Sequence, residues 1–265
     1  MKILVAIPTY NEKDNIGRMI NSVLSLNESE SGKKSNHSIN LLIIDDNSPD
    51  GTRQIVKEYQ NKYGQNKDMQ GQSCARDLLS LNPMLFLIER EKKLGLGTAY
   101  VAAFNFAVER GYDYVLTMDC DFSHNPDEIA GFVNLMETEK CGMIAGSRYS
   151  GGIRIINWSM KRLLISYFAN IYAKLVTGVK ISDLTGGFNM YDVNCLKKIN
   201  LGGISSRGYA FQIEMKYRMV KEAGCGFKEY PIIFYERTMG KSKMSNGIIF
   251  EAFFRVIKLR LGLYR

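Results

Sequence analysis

Four short apolar runs mark the first half of the chain: Ile3 to Ile7, Leu41 to Ile44, Met84 to Ile88 and Tyr114 to Met118. Each is followed at once by polar or turn-forming residues and predicts a strand buried on both faces of a parallel sheet. Between them the period changes. Ile16, Met19, Ile20, Val23 and Leu24 recur at helical spacing, as do Ile129, Phe132, Val133 and Met136 behind Asn125-Pro126. Strands alternating with helices imply right-handed crossovers and a doubly wound, mostly parallel α/β sheet flanked by helices.

Residues 27–40 and 61–77 are polar without period and predict surface loops. The texture shifts after Tyr149, to Gly151-Gly152, Trp158 and a long apolar helix, which marks a second lobe of the same domain. Of two further helical patterns, Leu163 to Val176 reads as core. The other, Ile248 to Leu261, places Ile249, Ala252, Phe253, Val256 and Ile257 on one face beside Arg255, Lys258 and Arg260, and predicts docking on a membrane surface or partner helix, with burial in the core as the alternative. The division is one domain over 1–245, with halves meeting near residue 122, and an amphipathic terminal helix over 246–265.

Composition narrows the chemistry. With 45% hydrophobic content, 265 residues bury a substantial core. The 35 basic against 27 acidic residues give a charge of +8, which suits a polyanion: nucleic acid, an anionic membrane or a phosphorylated substrate. Five scattered cysteines without a C-x-x-C suggest neither a disulfide framework nor a zinc site, and fit a reducing compartment. With only His37 and His124, a histidine metal cluster or a conventional Ser/His/Asp arrangement is excluded unless His124 serves alone. The opening strand lacks the flanks of a signal peptide, and no run of about 18 apolar residues exists, so any membrane contact is expected to be peripheral.

Candidate chemistry sits at the carboxy-terminal strand ends, where open α/β sheets bind ligands. Pro8-Thr9-Tyr10-Asn11-Glu12 follows the first run, Asp45-Asp46-Asn47-Ser48 the second and Asp119-Cys120-Asp121 the fourth. Singly, each reads equally as turn and cap chemistry; three on one edge favour a site. Bending the chain at Cys120 lets Asp119 and Asp121 face one hard cation, with diphosphate oxygens completing its shell and Ser123 as a further oxygen donor. The glycines of residues 90–98 could offer amides to phosphate, although the third glycine of a dinucleotide fingerprint is missing. Arg148, Arg162, Arg237 and Lys243 supply cations beside glycines and hydroxyls, the usual setting for phosphate recognition.

These motifs, together with Asp183-Leu184-Thr185-Gly186-Gly187-Phe188, resemble the eukaryotic dolichol-phosphate mannose synthase family of inverting GT-A-fold glycosyltransferases over nearly the whole chain. The resemblance implies a nucleotide-binding half over about 1–122 and an acceptor half over about 123–245. Pro8, Tyr10, Glu12, Ile44 and Asp46 would hold the nucleoside. Asp119, Cys120 and Asp121 would hold the diphosphate, with Mg²⁺ or Mn²⁺ on Asp119, Asp121 and Ser123. Arg237 and Lys243 would close over phosphate, while Arg148, Arg162 and Ser166 would receive the lipid phosphate; catalysis would rest on Asp119, Asp121, Arg148, Arg237 and Lys243.

The implied reaction transfers mannose from GDP-mannose to dolichyl phosphate, for glycosylation and GPI-anchor synthesis, at the cytosolic face of the endoplasmic reticulum. Small membrane subunits would anchor the enzyme, and no nucleic-acid partner is implied. Cys120 stands where relatives carry alanine. A glucosyltransferase using UDP-glucose and a non-catalytic nucleotide- or membrane-binding subunit are the competing readings.

Overall fold

A computed structural model describes residues 1–28, 37–65, 84–204, 206, 208–236 and 246–263, with the backbone alone for 64–65 and 246–252. The first strand shows how pattern becomes layer. In β1 (Lys2–Thr9), Leu4 and Ala6 point to one face of the sheet and Ile3, Val5 and Ile7 to the other, and all five are fully buried. Burial on both faces requires helices on both sides. On one side α1 (Lys13–Leu24), α2 (Thr52–Gln65) and α4 (Ile129–Glu139) cover the Ile3 face, and on the other α3 (Leu96–Glu109) packs Tyr100, Ala103 and Phe104 over Leu4 and Ala6.

The remaining strands of this half are β2 (Ser38–Asp45), β3 (Leu85–Glu89) and β4 (Tyr114–Thr117). The second half adds β5 (Met143–Ser147), β7 (Asn189–Asp192) and β8 (Phe227–Pro231), for a seven-stranded order β3-β2-β1-β4-β7-β5-β8. Every pair is parallel except those of β7, which runs antiparallel to both β4 and β5. This reversal seats the 183–188 turn beside the end of β4. A separate parallel pair, β6 (Ile155–Ile156) with β9 (Phe234–Tyr235), stands beside the start of α5 (Met160–Thr177), which Ser159 caps by accepting from the Arg162 amide. Past β7 come α6 (Gly208–Tyr217), continued by a π-helical turn over Arg218–Glu222, and α7 (Asn246–Arg260).

Three expectations change. Helix α2 runs on to Gln65 and β2 begins at Ser38, so structure enters both predicted loops; residues 29–36 and 66–83 lie outside the described residues. Helix α5 is not a core helix: only Asn170, Ala173 and Thr177 are buried, while Met160, Leu164, Phe168, Ile171 and Leu175 form an exposed stripe at helical spacing. Finally, Cys195 and Cys225 form a disulfide across 30 residues of sequence. They lie near neighbouring strands, beside Gly142, where a Cβ would meet Cys195 Sγ at 2.6 Å; sequence spacing carries no trace of that proximity. Cysteine usage thus gives no support to a reducing compartment. Cys120 and Cys141 are free thiols.

Helix α7 packs Val256 and Leu259 inward, leaves Phe253 and Phe254 exposed, and stacks Phe253 on Tyr172 of α5 at 4.5 Å. Among the described residues no helix is long and apolar enough to cross a membrane.

Candidate active site

The strand-end clusters divide between scaffold and site. Asp45 is fully buried and accepts hydrogen bonds from Thr9 Oγ1, Ser48 N and Oγ, and Arg53 Nε. Ser48, Asp50 and Thr52 in turn accept from the amides of Asn11, Lys13 and Glu12, satisfying the amino-terminal turn of α1. For this cluster the capping explanation is the correct one. Asp46 points the other way, into a pocket, where its carboxylate accepts from Arg90 Nη1 at 2.6 Å and the Gly95 amide at 2.8 Å. Each strand end turns through a non-glycine residue of positive φ: Asn11 at 59°, Asn47 at 62° and Phe122 at 59°. Asparagine tolerates this region, but phenylalanine there is strained, and it sits just after the carboxylate pair.

The pocket has a volume of about 290 Å³ and is lined by Pro8, Tyr10, Glu12, Asp46, Asp119, Cys120 and Asp121, all anticipated. Ile44 is not among the lining residues; it is a fully buried core residue beneath α3. Asp121 is held by Ser123, whose amide and hydroxyl donate to its Oδ1 at 3.1 and 2.6 Å. Ser123 therefore orients a carboxylate in this geometry. His124 accepts from the Asp119 amide through Nδ1 and stacks on Phe188. Burial lowers its pKa to about 4, so the ring is neutral with its proton on Nε2. Burial, reinforced by Glu12, Asp121 and Asp119, raises the Cys120 thiol and keeps it protonated.

The donor set is thus two carboxylates of hard oxygen with no thiolate, which fits Mg²⁺ or Mn²⁺ completed by ligand oxygens and water. Among the described residues no cluster of three or more acidic, histidine or cysteine side chains forms a closed metal cage.

Lys93, Leu96, Thr185, Gly187, Tyr209 and Gln212 complete this wall, Lys93 lying 3.7 Å from the centre of the Tyr10 ring. Sequence reading missed Tyr209 and Gln212, which belong to no strand end. Their one signal is that Gln212, Glu214 and Lys216 interrupt an otherwise apolar helix. All three are buried, and the Gln212 amide nitrogen has no hydrogen-bond partner among the described residues.

Behind the pocket lies a buried ionic knot. Arg148 forks onto Asp183 through Nε and Nη2 at 2.6 and 2.8 Å, and Nη2 also donates to Thr185. Lys216 Nζ donates to the carbonyls of Asp183 and Gly186, bracing the same turn. Burial alone would raise the Asp183 carboxyl, but the charge and hydrogen bonds of Arg148, with Lys216, outweigh it and hold its pKa at about 2. Burial moves Lys216 down to about 7 against the pull of Asp183.

Arg148 also lines a second cavity, of about 490 Å³, together with Trp158, Arg162, Ser166, Leu164 and Phe168. Arg162 pairs with Glu236 at 2.9 Å, and Ser166 accepts from the Tyr149 hydroxyl at 2.8 Å. The anticipated lipid-phosphate set therefore gathers in one place, apart from the carboxylates. The two cavities touch: Thr185 and Tyr209 line both. Arg237 and Lys243 lie outside the described residues.

Solved structures of similar shape include glucosyl-3-phosphoglycerate synthase from Mycobacterium tuberculosis in complex with Mn²⁺, UDP and glucosyl-3-phosphoglycerate. It superposes with a TM-score of 0.63 over 98% of this chain and 80% of that one, at 15% identity, and shows that the fold is shared. Curated relatives include the polyprenol monophosphomannose synthase of Mycolicibacterium smegmatis, 34% identical over 96% of this chain and 85% of the relative. The undecaprenyl-phosphate mannosyltransferase of Micrococcus luteus is also 34% identical, over 99% of this chain and 95% of its own. The GT-A-type sheet, the carboxylate pair at its edge and a family-model match over residues 4–199 agree: the chain belongs to glycosyl transferase family 2.

Proposed function

We propose that this enzyme transfers mannose from GDP-mannose to a polyprenyl phosphate, with inversion. The observation that carries the proposal is the meeting of the two cavities at Thr185 and Tyr209: one the more polar and bearing the two carboxylates, the other largely apolar and lined by Arg148 and Arg162. A nucleotide sugar fits the first and a lipid phosphate the second, with the anomeric carbon at their shared wall. Both similar mannosyltransferases are bacterial and named for polyprenol or undecaprenyl acceptors. The sequence resemblance points to dolichyl phosphate, and with it to the cytosolic face of the endoplasmic reticulum, GPI-anchor synthesis and recruitment by small membrane subunits. In this reading the donor half is centred on residues 1–122 and the acceptor half on 123–245.

A phosphomonoester has its second pKa at about 6, so near neutrality the acceptor oxygen is already an anionic nucleophile and needs no protein base. Arg162 and Ser166 hold it against the repulsion of the diphosphate, and Arg148 supports them from its fixed place on Asp183. The acceptor oxygen bonds to the anomeric carbon as the bond to the diphosphate breaks on the opposite face, and GDP departs. Asp119 and Asp121 orient the group that leaves; Mg²⁺ or Mn²⁺ bound to them supplies charge neutralisation there. Arg237 and Lys243 are proposed to add to it. The test offers dolichyl and undecaprenyl phosphate with GDP-mannose, UDP-glucose or UDP-GlcNAc, with and without metal. Mannolipid from GDP-mannose alone, abolished by chelation, is expected; equal transfer from a UDP-sugar would overturn the donor assignment, and no turnover with any donor would favour a binding subunit.

The exposed stripe of α5 continues from the mouth of the apolar cavity, since Leu164 and Phe168 belong to both, and Phe253 of α7 borders it. Lys161, Lys174 and Lys258 flank it with the charge an anionic bilayer attracts. We propose that this face rests on the membrane, so that the lipid enters the cavity sideways. Full burial of a Leu or Phe side chain is worth roughly 1.5–3 kcal/mol. Even partial insertion predicts that replacing Leu164, Phe168 and Leu175 together by serine weakens binding to anionic vesicles by at least about tenfold, with GDP-mannose affinity unchanged. Vesicle co-sedimentation and nucleotide titration measure both; unaltered vesicle binding sinks the orientation.

A further inference from the structure

We propose that Trp158 is a positioning residue of the acceptor site: its indole face holds Arg162, and its indole N–H donates to the phosphate of the lipid acceptor. This rests on the polyprenyl-phosphate reading above and adds to it a residue that the sequence reading did not assign. Two buried donors on this wall have no hydrogen-bond partner among the described residues, Trp158 Nε1 and Arg162 Nε. Buried polar groups are nearly always paired, so two orphans on one wall of one cavity point to an acceptor that arrives with the ligand. Both belong to residues that line the 490 Å³ cavity.

The packing explains how they are held. The Arg162 guanidinium lies 4.0 Å from the centre of the indole ring, while Phe234 meets that ring edge-on at 5.4 Å. Arg148 approaches the same ring at 5.5 Å. One aromatic surface thus serves two cations that would otherwise repel, and their countercharges, Asp183 and Glu236, occupy other donors: Arg148 Nε and Nη2, and Arg162 Nη1. Among the described residues Arg162 Nε remains without a hydrogen-bond partner beside Trp158. Ser166, also in the lining, accepts from Tyr149, which leaves its own hydroxyl hydrogen to donate. A phosphate with several acceptor oxygens matches three such donors; an alcohol does not.

Trp158 is the single tryptophan of the chain, so intrinsic fluorescence reports on this residue alone. Titrating the wild-type protein with a C15 prenyl phosphate is expected to give a saturable change in tryptophan emission, reversed by dilution and absent with the corresponding prenol. The kinetic arm uses Trp158→Phe, which keeps an aromatic face for Arg162 while removing the N–H together with one of the two fused rings. Loss of a hydrogen bond to a charged group predicts a KM for the prenyl phosphate raised roughly tenfold, with the KM for GDP-mannose unchanged. Trp158→Leu, which also releases Arg162, is expected to raise it further. Equal responses to phosphate and prenol, or a Trp158→Phe enzyme with wild-type acceptor KM, overturn the assignment. A phosphate-specific signal in a protein that transfers sugar from no donor supports the contact and overturns the mannosyltransferase reading instead.

Discussion

Replacing Asp121 with alanine is expected to lower kcat for mannosyl transfer by about a thousandfold while the protein stays folded. Asp121 lies at the pocket wall, with its orientation set by the amide and hydroxyl of Ser123. The diphosphate gains negative charge as the glycosidic bond breaks, and groups fixed around it act most strongly at that moment. Removing one such group typically costs 10²- to 10³-fold, and a metal position is worth several kcal/mol of charge stabilisation. In the proposed reading Tyr10, Glu12 and Asp46 hold the nucleoside, so the donor's KM should move less than kcat. Steady-state rates across Mn²⁺ concentrations give the decisive comparison. Wild-type turnover should rise with metal and fall on chelation, whereas the variant should stay low throughout; full activity in Asp121→Ala rules out the role.

The second large effect is on stability. Asp183→Ala leaves Arg148, almost wholly buried, without its countercharge. Breaking a buried pair from one side costs roughly 3–5 kcal/mol, a large part of the 5–15 kcal/mol that holds a domain together. For a chain of this size that corresponds to a fall in Tm of roughly 10 °C, measurable by calorimetry. Removing both partners with Arg148→Leu/Asp183→Leu should restore part of the loss, which separates the uncompensated charge from the packing. The pH dependence follows from the same pair. A carboxyl held at about 2, against an ordinary value of 3.8, adds stability that is fully present above pH 3.8 and is lost as pH falls towards 2. The gap between wild type and Asp183→Asn should narrow over that interval.

What was legible in the sequence was local. Strands β1, β2 and β4 announce themselves because burial on both faces forces uninterrupted apolar runs, the edge strand β3 keeps such a run while only half-buried, and the carboxylate pair directly follows one of these runs. The strand-end clusters were harder to separate: Asp45 and Asp46 are neighbours of the same type, yet one is sealed among Thr9, Ser48 and Arg53 while the other faces the pocket. Alternation along a strand decides which points where, and a run of polar residues does not display its phase. Tyr209 and Gln212 carried no signal beyond the polar positions of α6, because they belong to no strand end and reach the pocket only through the fold, after β7 has reversed the sheet. Helix α5 was misread for a different reason. An apolar helix facing a core and one turning its apolar face outward have the same composition, and only the few residues buried beneath α5 tell them apart.

That exposed stripe has a colloidal consequence. Away from a bilayer the molecule carries a contiguous apolar face on α5, extended by Phe253 and Phe254, and such patches drive like molecules together. Opposing this is the net charge of +8, whose mutual repulsion keeps copies apart. Salt shortens the reach of that repulsion to about 8 Å at physiological ionic strength and about 3 Å at 1 M, while leaving the apolar attraction in place. The high salt commonly chosen to free a basic protein from contaminating nucleic acid is therefore a condition expected to promote self-association of this one.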